Sequence, residues 1–141
     1  MQAALHKEEF IMAEKNFGSI YDLPLQDAGA LSPDIQKRTV FGPQNFLKDY
    51  VMRHFILPPH KVIPKHAHEW EHFMYVLSGD GYMDVNGEHF IMKTGNWVHM
   101  PGNAPHECHN DSDEPLEFFC IVPTRGDPHA VEFLKKEGKA D

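Results

Sequence analysis

This chain is short of basic residues, of cysteine and of long apolar runs, and each shortage removes a class of function. Lys and Arg number 13 against 21 Asp and Glu, a formal net charge of -8 with histidine neutral. A protein that grips a phosphate backbone needs the opposite balance, so no nucleic-acid partner is expected. The same field gives an acidic substrate no long-range help. An anion must be captured locally, by a metal or by one arginine. No apolar stretch is long enough to span a bilayer, so no membrane partner is expected. Residues Met1 to Lys15 lack the apolar centre of a secretory signal, which makes the cytoplasm the expected location. Only two cysteines occur, Cys108 and Cys120, and in a reducing compartment a disulfide is not expected. Internal repeats and low-complexity tracts are missing as well.

What is present suits one domain. The 141 residues, 41% of them apolar, can fill a single core. Residues 1–35 read as an N-terminal arm, with a loosely periodic first part that suits a short helix and a short strand near Ile20–Tyr21. From Gln36 the texture changes to short β-rich runs separated by turn residues. The runs are Gln36–Phe41, Tyr50–Leu57, Val62–Lys65, His72–Ser78, Gly81–Val85, Glu88–Met92, Trp97–Met100, Pro105–His109 and Leu116–Val122. Asn86-Gly87 between two alternating runs is a two-residue hairpin signal, because both positions need positive φ. Many short strands at regular spacing predict an all-β sandwich or barrel over residues 36–123. In the tail, residues 124–141, the stretch from Pro128 predicts a turn or two of helix that Gly138 stops.

Histidine is the conspicuous enrichment, with 11 residues. Three lie in one run, Lys65-His66-Ala67-His68-Glu69-Trp70-Glu71-His72. On an extended chain His66, His68 and His72 share even parity and leave the same face. His106 follows Pro101-Gly102-Asn103-Ala104-Pro105 and must come from another strand. Imidazole is the commonest protein metal ligand, and four so arranged predict a mononuclear metal site.

At these residues the sequence resembles the cupin superfamily. His66, His68, position 72 and Gly79 fall in register with the first cupin motif. Gly95, Pro101, His106 and Asn110 fall in register with the second. The motifs cover residues 60–110, and the strand texture extends the likeness to 36–123. Three positions depart from the pattern. His60 replaces the opening glycine of the first motif. Asn103 replaces the second glycine of the second, and His72 stands where the family usually has a glutamate ligand. In this last respect the chain resembles the small single-domain four-histidine cupins that bind manganese.

The resemblance implies a double-stranded β-helix, or jelly-roll, barrel with a short N-terminal arm and a C-terminal tail. It implies one divalent transition metal on His66, His68, His72 and His106, with Mn favoured and Fe or Zn next. Imidazole ligands by themselves also accept Ni, Co or Cu. Four neutral imidazoles leave the full dipositive charge on the ion, so it should be a strong Lewis acid that attracts anionic ligands. The expected function is dioxygenase-like: oxygen- or peroxide-linked oxidation of a small organic molecule. A non-oxidative lyase or isomerase and a non-catalytic binding module are the alternatives, because one fold hosts all three. A homodimer is the expected assembly.

The expected pocket wall comprises Arg53, Ile63, Met74, Phe118, Cys120 and Val122. Arg53, mid-strand, is either solvent-facing or the one cation that orients an anionic substrate. Cys120 is either a small buried hydrophobe or part of the cavity face. Trp70 reads as a bend anchor or pocket rim. The remaining histidines, His129 in the tail among them, read as solvated or hydrogen-bonded side chains.

Overall fold

A computed structural model describes residues 16–138. The helix expected in the first part of the arm falls largely outside the described residues. Ten strands form two antiparallel sheets. They are β1 (Gln26–Asp27), β2 (Gln36–Phe41), β3 (Tyr50–Leu57), β4 (Val62–His66), β5 (His72–Ser78), β6 (Asp80–Val85), β7 (Glu88–Lys93), β8 (Trp97–Met100), β9 (His106–His109) and β10 (Leu116–Pro123). One sheet has the order β1-β2-β3-β10-β5-β8 and the other β4-β9-β6-β7. Their inner faces enclose the core, as in a jelly-roll barrel. Of the described residues, none lies in a helix long and apolar enough to cross a membrane.

Alternation decides what faces inward. Along β10, Leu116, Phe118, Cys120 and Val122 are buried while Glu117, Phe119, Ile121 and Pro123 are less so. On β3 the inward set is Val51, Arg53, Phe55 and Leu57. His54 points the other way and is still fully buried. The N-terminal segment covers it, with Tyr21 packed edge-on against its ring, and Glu117 of β10 accepts from its Nε2 at 2.7 Å.

That segment corrects one expectation. Ile20–Tyr21 is not a strand but part of a 3-10 turn, Ile20–Asp22. Ser19 Oγ accepts from the Tyr21 N–H at 3.2 Å and starts the turn as a local cap,. The strand of this region is β1, which pairs with β2. In the tail, helix α1 (Pro128–Lys136) starts on Asp127, whose side chain caps Ala130 N. Gly138 follows it at φ +66°, the left-handed conformation that ends helices.

Both substituted motif glycines stand at positive φ: His60 at 60° and Asn103 at 66°. His and Asn are among the few residues that enter this region readily, so the turns keep the shape the motif needs. Asn110, the motif's last residue, is 1% exposed and ties three segments together. Its amide donates to the carbonyls of Leu57, Pro58 and Glu114 at 3.0, 3.1 and 2.8 Å, and its carbonyl accepts from the Ser112 N–H and hydroxyl. Asn110→Ala should therefore cost about 3 kcal/mol, because it strands buried backbone carbonyls as well as losing bonds. Urea unfolding measures this, and a loss below about 1 kcal/mol would show that water takes the amide's place.

Candidate metal centre

His66 closes β4, His72 opens β5 and His106 opens β9, so the three stand at one end of the barrel. His68 lies in the loop between β4 and β5. The ligand atoms of His66, His68 and His106 all lie within 4.8 Å of one another. His72 stacks on His68, with ring centroids 4.2 Å apart and planes within 7°, and meets His106 edge-on at 5.4 Å.

A strand parity common to His66, His68 and His72 does not build this cluster. Ile63 already faces inward on β4, so an unbroken strand would turn His66 outward. The β4–β9 pairing passes from Ile63↔Cys108 to His66↔His106. The extra residue in β4 is a β-bulge, and it restores His66 to the inner face. Pro64 suits that place, since it has no N–H to give to a ladder. The loop holding His68 is fixed from the other motif. Asn103 N–H donates to the His68 carbonyl at 2.7 Å, and a Cβ on Gly102 would sit 2.3 Å from the Glu69 carbonyl oxygen. Only glycine permits that approach.

Backbone carbonyls set the tautomers. The Nδ1–H groups of His66, His68 and His106 donate to the carbonyls of Pro64, Trp70 and Ala104 at 2.8, 3.1 and 2.9 Å. A carbonyl can only accept, so each Nε2 keeps a free lone pair, as a metal ligand requires. Nε2 of His68 and of His72 are buried with no hydrogen-bond partner. Burial holds His68 and His106 below the usual imidazole range and His72 down to about 2, assisted by His68 and by the Arg53 charge. His68, His72 and His106 are therefore neutral at pH 7, the form that binds metal. Orphaned acceptors, matched tautomers and an all-imidazole donor set fit a divalent transition ion.

The cluster lines a cavity of about 590 Å³. Arg53, Ile63, Met74, Phe118 and Cys120 line it, and so does Trp70. Val122 does not. It shares their face and is fully buried, paired with Val51 of β3, and takes no part in the wall. Arg53 is no solvent-facing residue, being 4% exposed.

Several lining residues escaped the sequence reading. Residues 27–31 and the segment Arg125–Lys135 contribute much of the wall, so both flanks of the barrel help to close its mouth. The Trp70 ring, stacked on His68 at 4.7 Å, packs against Gly126, where a Cβ would meet Nε1 at 2.7 Å. His129, read as a tail histidine, lines the cavity with a buried, unpartnered Nδ1. Lys37 and Asp127 form a buried ion pair at 2.6 Å. Asp127 before Pro128 is legible as a helix cap, but nothing local signals its pairing with a lysine 90 residues away.

Cys108 and Cys120 are free and buried. Burial pushes the Cys108 thiol up to about 12 and raises that of Cys120 against the pull of Arg53. Cys120 Sγ lies 3.3 Å from His72 Nδ1 and 3.2 Å from Arg53 Nη2.

Residues 53–122 match the family model described as a cupin domain. Among curated proteins, an uncharacterised protein of Methanocaldococcus jannaschii is 34% identical over 50 residues, 36% of this chain and 40% of that protein. A gentisate 1,2-dioxygenase of a Streptomyces species is 36% identical over 64 residues, 45% of this chain and 18% of that protein. The chain thus spans well under half the length of either. Among solved structures, the polyketide cyclase RemF of Streptomyces resistomycificus superposes with a TM-score of 0.70 at 20% identity, covering 77% of this chain and 79% of RemF. That likeness is one of fold.

Proposed function

With a cupin domain over residues 53–122 as the premise, we propose that this protein is a metal-dependent enzyme that oxidises a small organic molecule with dioxygen or peroxide. The observation that carries the reading is the convergence of His66, His68 and His106, their ligand atoms within 4.8 Å, inside a cavity of about 590 Å³ large enough for a small organic ligand. One divalent transition metal is held by these three and by His72, with Mn favoured and Fe or Zn next. When bound, a redox-active ion supplies electron transfer between oxidant and substrate. The partial match to a dioxygenase supports this class.

The chain's own residues have defined parts. The carbonyls of Pro64, Trp70 and Ala104 keep three imidazoles in the ligating tautomer. In the ligating form of His72, its Nδ1–H donates to Cys120 Sγ. Met74, Met83, Met100, Phe55 and Phe118 give the substrate an apolar wall and keep bulk water from the reacting centre. A homodimer belongs to the same reading. The row Phe73, Tyr75 and Trp97 on the outer face of β5 and β8 is 40%, 48% and 72% exposed, an apolar surface of the kind subunits cover.

Metal analysis of the purified protein, followed by oxygen uptake and peroxide-dependent turnover with diketones, phenols and alkenes, tests the proposal. Oxidant consumption is expected with Mn or Fe and none with Zn or without metal. Turnover supported by Zn alone would replace it with a lyase or isomerase. Tight ligand binding without turnover under any metal would make the protein a binding module.

A further inference from the structure

The cavity wall carries two buried cations, Lys37 and Arg53, and the buried carboxylate that meets them is Asp127. Lys37, Arg53 and Asp127 are 2%, 4% and 0% exposed, so two cations share one carboxylate. The sharing is unequal. Asp127 Oδ2 lies 2.6 Å from Lys37 Nζ but 3.5 Å from Arg53 Nη1, and Oδ1 is used by the Ala130 N–H. The short contact is a charge-assisted bond and the long one is marginal. Arg53 otherwise has a thiol sulfur at Nη2, a weak acceptor, and the face of Phe55 at 4.8 Å. Its Nε is buried with no partner. A guanidinium taken out of water with so little compensation is costly. The exposed rim charges, Asp27 and Glu132 against Arg125 and Lys135, cancel in number and leave the inner excess standing.

We infer that Arg53 is the anion-binding residue of the cavity and that its ligand is a small organic acid. The carboxylate meets the free side of the guanidinium, and the apolar body lies against Met74, Met83, Phe55 and Phe118. Arg53 and His72 contact the same sulfur, Arg53 from the Nδ1 side of the imidazole, and both line the one cavity. The chain's overall charge of -8 repels acids at long range, and this local cation reverses the sign where it matters. The site deepens the proposed function and rests on it only for the ligand's being a substrate.

The test uses benzoate and its neutral isostere benzamide, titrated calorimetrically into metal-free protein. Benzoate should bind at least about tenfold more tightly, the worth of one hydrogen-bonded charge pair. Arg53→Met should reduce benzoate to the benzamide level while unfolding no earlier than wild type, since it leaves Lys37 and Asp127 as a balanced pair. Lys37→Met should also weaken benzoate binding, because Asp127 then turns to Arg53. Equal affinity for benzoate and benzamide would overturn the site, and so would undiminished benzoate binding in Arg53→Met. The comparison in the intact protein stands whether or not that variant folds. Benzoate selectivity without turnover under any metal would sink the enzymatic reading alone. Turnover without that selectivity would sink the anion site alone.

Discussion

His106→Ala should reduce metal affinity by more than about a hundredfold. Loss of a mere supporting contact to a ligand typically costs ten- to a hundredfold, and removing the ligand itself costs more. His106 is 4% exposed and pairs across the sheet with His66, so no surface histidine can swing into its place. The metal-free variant should unfold somewhat earlier than wild type, because the Ala104 carbonyl loses its Nδ1–H donor and a buried ring is removed,, so metal affinity is read at a temperature where both proteins are folded. The stabilisation that bound metal confers on the wild type should disappear in the variant, since it depends on affinity for the native state. Calorimetric titration with Mn and metal analysis after dialysis give the measurement. His99→Ala, on the same barrel but 45% exposed at the side chain, is the matched control. Stoichiometric metal retained by His106→Ala would refute the site. His72→Ala asks a separate question: an affinity unchanged in that variant would reduce the ligand set to three.

Asp127→Asn should destabilise the fold by about 3–5 kcal/mol, the cost of stripping a buried charge network of one sign. Asparagine keeps an oxygen for the Ala130 N–H, so the helix cap is preserved and the charge alone changes. What remains is Lys37 and Arg53, two buried cations with no anion between them. Arg53→Met removes a group of similar burial, yet leaves one cation facing one carboxylate. The asymmetry between these variants, large for Asp127 and small for Arg53, follows from counting charges and not from counting bonds. Urea unfolding at pH 7 measures both, and a loss under about 1 kcal/mol for Asp127→Asn would remove the network from the stability of the fold. The pH dependence carries the same sign. Burial alone would raise the Asp127 pKa, but Lys37 and Arg53 overcome it and hold the carboxyl below its ordinary 3.8. A depressed folded-state value means the unfolded chain takes up the proton first. Its contribution is therefore complete above the unfolded value and is lost as pH falls through the folded one. Asp127→Asn should flatten that acid limb.

Strand positions were legible in the sequence because alternation and turn chemistry are local. Tyr50–Leu57, His72–Ser78 and Trp97–Met100 coincide with their strands, and Asn86-Gly87 turns at φ 50° and 86°. The motif spacing likewise placed three histidines whose ligand atoms converge. Legibility stopped where one element depends on a distant one. Parity along a strand assumes an unbroken ladder, and the bulge between Ile63 and His66 exists only against β9. Ile20–Tyr21 has strand composition, but a serine cap and the need to cover His54 bent it into a 3-10 turn.

By itself, the sequence determined the strand framework, the inward faces and the histidines that meet. Each is written in spacing between near neighbours, where backbone periodicity and turn preference act. The tertiary structure alone decided which way His66 points, that Cys120 and not Val122 lines the cavity, and that Lys37 and Asp127 stand beside Arg53. Those outcomes depend on strand pairing and on flanks folding back over the barrel mouth. Buried charge has no periodic signature: a lysine in a strand reads as solvent-facing until a carboxylate 90 residues away is brought to within a hydrogen bond of it.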